Sequence, residues 1–240
     1  SQLSSLGRLY EVDARLRPTG KSGALTTTFK EFVRYFLEGG GQVWERQALC
    51  KARVVYGSQR AERLANAAMA KAAFGRRWRR KDAEEIRNMR SRLEETASTG
   101  DLKRGAGGIV DIEFLVQMLQ LQHGRNNPNL REPNTLAALG RLYSSGLLSV
   151  DDYERFDASY RLLRTIEGRL RLMNSAARDQ LPQDPTELAK LAHLLHYPGS
   201  DGLMMDYENA ARQIRQRFER IFAEAGKKTR SAERGTRNEK

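Results

Sequence analysis

Helical spacing of apolar residues constrains most of this chain. From about residue 59 to 97, and again at about 109–122, 134–144, 149–176, 186–195 and 206–225, apolar side chains recur at intervals of three and four. Leu64, Ala67, Ala68 and Ala72 make a small-residue face suited to close helix approach. Ile86, Met89 and Leu93 continue the stripe, and Tyr160, Leu163, Ile166, Leu170 and Met173 run along the longest segment. Ser98-Thr99-Gly100, the glycine-rich run at 105–108, Asn127-Pro128-Asn129, Gly146, Pro182, Pro185, Pro198 and Gly199 separate the segments. Stripes of this kind find cover against one another, which predicts an antiparallel helical bundle. There is no internal repeat, and no heptad run long enough for a coiled coil.

The first sixty residues read differently. After a polar lead-in at 1–9 comes Tyr10-Glu11-Val12-Asp13-Ala14-Arg15-Leu16-Arg17-Pro18-Thr19-Gly20-Lys21-Ser22-Gly23. As a strand, it turns Val12, Ala14 and Leu16 to one face and Glu11, Asp13, Arg15 and Arg17 to the other. Pro18 and the glycines after it end the strand in a turn. A carboxylate beside two guanidiniums suits a divalent metal next to a triphosphate; an edge strand with ordinary ion pairs has the same pattern. A short β element is expected near 26–28. Thr28 has Glu31 at capping-box spacing before Phe32, Val33, Phe36 and Leu37. A second helix at 44–51 and a returning strand at 52–57 follow.

Length and charge narrow the function classes. At 240 residues, one sizeable domain or two small ones can bury a core. Hydrophobic content of 39% with 30% charged residues suits helices with long solvated faces. No apolar run would span a bilayer, and no signal-peptide pattern opens the sequence. A single cysteine, Cys50, excludes an internal disulfide framework and fits a reducing compartment. His193 and His196 lack partners for a zinc site. The net charge of +12 points toward nucleic acid. Part of it sits in the last fourteen residues, where Lys227, Lys228, Arg230, Arg234, Arg237 and Lys240 face only Glu233 and Glu239. The cluster at 76–81 is expected inside a helix. No helix-turn-helix, zinc knuckle or aromatic RNA-binding pattern accompanies the charge, so nucleic acid is disfavoured as a partner.

The motif Y-E-V-D-x-R-L-R-P-x-G-x-x-G resembles the second half of the catalytic signature of glutamine synthetase adenylyltransferases, nucleotidyltransferases of the polymerase-β superfamily. Two further matches follow in the family's order. One is Trp44-Glu45-Arg46-Gln47-Ala48-Leu49 running into Lys51-Ala52-Arg53; the other is Gly107-Gly108-Ile109-Val110-Asp111-Ile112-Glu113-Phe114. The resemblance implies a mainly α chain: a small α+β remnant of a polymerase-β-like nucleotidyltransferase domain, then an antiparallel helical bundle. Its expected limits are 1–57 for the nucleotidyltransferase part, 58–225 for the helical domain with a connecting helix at 58–98, and 226–240 for a disordered basic tail. Implied too are a cytoplasmic location, ATP as substrate, Mg2+ as cofactor, and glutamine synthetase and the PII signalling protein as partners. Members move AMP from ATP to a tyrosine of glutamine synthetase, and a paired domain removes it by phosphorolysis. Two alternatives stand: a PII-type uridylyltransferase relative, and a non-catalytic helical interaction or nucleic-acid-binding module.

By the same resemblance Asp13 is the third carboxylate of a metal triad. The other two belong to a G-S-x-x-D segment that this sequence lacks, so the chain alone is expected to be inactive. Arg15 and Arg17 contact phosphate or pair with Glu11. Lys51 and Arg53 add positive charge to the phosphate site or are simply solvated. Glu45 is expected to pair with a basic neighbour, and Trp44 to enter the core. The loop at 103–108 invites a phosphate-cradle reading, because free N–H groups at a helix start attract anions, although it is not a P-loop. Asp111 and Glu113 either serve the helix dipole or mark a helix start that faces the catalytic cleft.

Overall fold

The computed structural model describes residues 13–14, 17–173 and 179–227. Among them the chain is mainly α-helical, with no strand. Its internal contacts divide it into two units, residues 1–77 and 78–240.

The first unit holds α1 (Phe29–Leu37), α2 (Val43–Leu49) and α3 (Gln59–Phe74), with α3 packed on both of the others. The expected capping box starts α1: the Thr28 hydroxyl accepts from the Glu31 N–H at 3.2 Å, and the Glu31 carboxylate accepts from Thr28. Helix α2 opens the same way, with Glu45 accepting from the Gln42 N–H at 2.7 Å. Val43, Arg46, Gln47 and Cys50 fall at 0, 3, 4 and 7 along α2 and are buried. Trp44, expected in the core, lies off that face and is 40% exposed. Helix α3 packs through Ala68, Ala72, Ala73 and Phe74, while Leu64 stays exposed. Fully buried Arg46 donates from Nε to the Ala73 carbonyl at 3.0 Å, satisfying one of the carbonyls that the end of α3 leaves without a helical partner.

The helical run expected to continue from 59 to 97 is broken. Helix α3 stops at Gly75, and α4 (Arg80–Glu95) starts afresh. The cause is Asp82, whose carboxylate accepts from the Arg79 N–H at 2.9 Å and makes Arg79 a helix cap. The basic cluster at 76–81 is thus a helix junction.

The expected β part does not form among the described residues. Residues 52–57 are irregular, and 26–28 lead directly into the α1 cap. A strand needs a neighbour for its N–H and C=O groups, and no described segment forms a ladder with 52–57. Most of the strand expected at 10–17 lies outside the described residues.

The second unit contains α4, α5 (Ile109–His123), α6 (Thr135–Ser144), α7 (Val150–Met173), α8 (Pro185–Leu194) and α9 (Ser200–Lys227). Helix α5 is apolar around most of its circumference and is buried among α4, α6, α7 and α9, as such a helix must be. Ile112, Leu115 and Met118 are fully enclosed, each worth about 1.5–3 kcal/mol of transfer free energy. The predicted α7 stripe is buried through Tyr160, Leu163, Ile166 and Leu170. Arg87 pairs with Glu219 and Glu94 with Arg215, so α4 and α9 run in opposite directions. Helix α9 extends to Lys227, past the expected start of the tail; residues 228–240 lie outside the described residues. The one β-type pairing among the described residues is an isolated bridge between Asp101 and Gln180.

Candidate functional site

Asp13 is solvent-exposed on irregular chain just ahead of a tight turn. That turn is the one expected from Pro18 and the glycines. Gly20 N–H donates to the Arg17 carbonyl at 2.8 Å, and a 3-10 turn spans Gly20–Ser22. Arg17 closes it, donating from Nε to the Gly23 carbonyl at 2.9 Å and from its terminal nitrogens to the carbonyls of Ala14 and Lys21. Its guanidinium therefore organises the segment next to Asp13. Arg15 lies outside the described residues. Lys51 and Arg53 are exposed just after α2. Glu45 accepts from the Tyr35 hydroxyl at 3.0 Å as well as from Gln42. Among the described residues no group of three or more His, Cys, Asp or Glu side chains is placed to hold a metal ion. Asp13 offers one carboxylate, where magnesium takes about six oxygen ligands.

In the helical unit the Gly-Gly-x-x-Asp-x-Glu motif is built around a buried ion cluster. Asp111 has no exposed surface, and Arg90, 1% exposed, pairs with it through Nε. The same guanidinium donates to the Gly105 carbonyl at 2.8 Å. The other Asp111 oxygen accepts from the Gly107 N–H at 2.7 Å and from Arg215 at 3.4 Å. Arg215 also reaches Glu94 at 2.8 Å and Glu219 at 3.0 Å. Burial pushes the Asp111 carboxyl above the usual carboxylate range, against the pull of Arg90, the Gly107 N–H and Arg215. Burial works to lower the Arg215 pKa, yet Asp111, Glu94 and Glu219 together hold it above its ordinary value.

Most backbone N–H groups of the loop before α5 are committed within this structure. Lys103 and Arg104 N–H groups donate to the Asp101 carboxylate, and Gly105 N–H to the Asp101 carbonyl. Gly107 N–H serves Asp111, while the N–H groups of Gly108, Ile109 and Val110 serve the carbonyls of Gly105, Leu102 and Lys103. Donors committed in this way are not free to cradle an anion. Gly107 has φ +73°, and a Cβ there would sit 1.9 Å from the Ala211 carbonyl oxygen, so only glycine lets the loop approach α9 this closely. Glu113, two residues beyond Asp111, lies on the opposite side of α5. It is half-buried, and its carboxylate accepts from the Tyr160 hydroxyl at 3.1 Å.

Sequence reasoning missed Arg46, Arg90 and Arg215. Each had one signal: Arg46 occupies the buried i+3 position from Val43, Arg90 falls four after Ile86 on an apolar stripe, and Arg215 sits between Ile214 and Phe218. A cation at an otherwise apolar register position calls for a buried carboxylate. Asp111, in a run of Ile, Val and Leu, is that carboxylate for Arg90 and Arg215.

Two family models match the chain. One, described as glutamate-ammonia ligase adenylyltransferase, covers residues 1–68; the other, described as GlnD PII-uridylyltransferase, covers 76–222. Among curated relatives, a bifunctional glutamine synthetase adenylyltransferase/adenylyl-removing enzyme of Mycobacterium tuberculosis is 37% identical over 77% of this chain and 19% of its own length. Relatives of the same name from Leifsonia xyli and Streptomyces coelicolor are each 33% identical, over 89% and 92% of this chain and 22% and 23% of their own. The chain thus spans about a fifth of the length of the curated relatives it matches.

Proposed function

Because the chain belongs to the glutamine synthetase adenylyltransferase family, we propose that it forms the end of one nucleotidyltransferase domain and the helical domain that follows. The observation that carries this is the reach of the alignments. Relatives sharing a single name match 77–92% of the chain, and so run across both of its units. The full enzyme transfers AMP from ATP to a tyrosine of glutamine synthetase or removes it, in the cytoplasm and under control of the PII protein. In the forward step a phenolate oxygen bonds to the α-phosphorus, the bond to pyrophosphate breaks, and the phenolic proton leaves to solvent. Asp13 would lend one oxygen ligand to the magnesium ion that neutralises charge on the phosphates. Lys51 and Arg53 are exposed cations that would add positive charge beside the phosphates, and Glu113 is the half-buried carboxylate of the motif in the helical unit. With no G-S-x-x-D segment in this sequence, the 240-residue chain by itself does not turn over.

A second reading comes from the uridylyltransferase model that matches 76–222: the enzyme transfers UMP to PII. Full-length enzyme offered ATP or UTP labelled at the α-phosphorus, with glutamine synthetase or PII as acceptor, separates the two. The expected product is labelled glutamine synthetase from ATP. Label moving from UTP to PII would replace the first reading with the second.

A further inference from the structure

Asp111 and Glu113 belong to one motif but face opposite ways, and the structure gives them different work. Asp111 is enclosed among arginines, whereas Glu113 reaches the surface against Tyr160. We infer that Arg90 and Asp111 are a positioning pair that sets the first turn of α5 and, through it, the Glu113 carboxylate; this rests on the reading in which Glu113 serves the transferase.

Three features carry it. Arg90 holds both the Asp111 carboxylate and the Gly105 carbonyl, so one guanidinium fixes the loop and the helix start together. Asp111 accepts from the Gly107 N–H at 2.7 Å, and Gly107 lies directly on the α9 backbone, which leaves the loop no slack on that side. Arg215 then ties the pair to α9 and, through Glu94, to α4. Rotation of α5 about its axis is thereby blocked at the turn that carries Glu113. Tyr160, 8% exposed, supplies a contact that aims the carboxylate.

The test is a functional double-mutant cycle in the full-length enzyme, reading kcat and KM for nucleotide transfer per folded molecule, with thermal melts in parallel. Glu113→Gln and Asp111→Asn each lower kcat by about tenfold or more, and the double variant falls no further than Glu113→Gln alone. Should Asp111→Asn fail to fold, Arg215→Gln at the 30%-exposed rim replaces it; its smaller loss of kcat likewise vanishes in the Glu113→Gln background. Loss of stability alone would lower the melting temperature and leave kcat per folded molecule native, and an effect of Asp111 independent of Glu113 would multiply with the Glu113 effect. Multiplying effects sink the positioning role while leaving the role of Glu113 intact. Wild-type kcat in Glu113→Gln sinks the role of Glu113, and the positioning inference with it.

Discussion

At the end of α8, His196 adopts φ 63°, in the left-handed region that costs an L-residue about 1–2 kcal/mol. The reason is a Schellman turn: His196 N–H donates to the His193 carbonyl at 3.0 Å, and Tyr197 N–H to the Ala192 carbonyl at 2.9 Å. Its imidazole is exposed, so little packing is lost on removing it. His196→Gly is expected to stabilise the helical unit by about 0.5–1 kcal/mol, after the greater freedom of glycine in the unfolded chain is subtracted. Chemical denaturation reads this as a higher midpoint at unchanged slope; a lower midpoint would contradict it. Neither the left-handed turn at this histidine nor the pairing of the buried arginines was legible in the sequence, because spacing reports a residue's helical face but not its partner across the core. Arg90 and Asp111 are twenty-one positions apart and meet only after α4 and α5 pack. The Gly20–Gly23 turn was legible, since proline and glycine fix backbone angles locally.

Helices were the most readable elements, where caps and periodicity agree. Thr28 and Glu31 identify the start of α1, and the structure forms both halves of the box. Hydrogen bonds from Thr28 hold the Glu31 carboxyl below its usual value. The folded pKa is therefore lower than the unfolded one. The stabilisation is complete above the ordinary carboxylate range of about 4.3 and is lost as pH falls through the lowered value. Amide protection at the start of α1 should drop in the native sequence as pH falls below the ordinary carboxylate range. In Glu31→Gln that pH dependence should be flat; a matching drop in the variant would remove Glu31 as its cause. The α3–α4 break was missed because one glycine followed by basic residues does not forbid a helix. The capping role of Asp82 is apparent only once Arg79 is extended. The strand at 52–57 was over-read: Val54, Val55 and Tyr56 suit a sheet, but extended chain becomes a strand only when a partner is beside it.

Across the whole chain, two structural units match two family descriptions, while named relatives run through both. Both units have buried interiors of their own, one around α3 and the other around α5. Ion pairs such as Arg90–Asp111, Arg220–Asp152 and Arg171–Glu167 use basic side chains within the fold, while the net charge of +12 is the excess over all the carboxylates. No described helix is long and apolar enough to cross a membrane. The proposed contribution of Asp13 to nucleotidyl transfer on glutamine synthetase can be tested by one comparison. Full-length enzyme carrying Asp13→Asn is assayed for AMP addition from labelled ATP and for phosphate-dependent AMP removal, alongside the native enzyme. One of the two reactions should fall by about a hundredfold or more while the other stays near native, identifying which half this chain belongs to. Native rates for both would rule out that contribution.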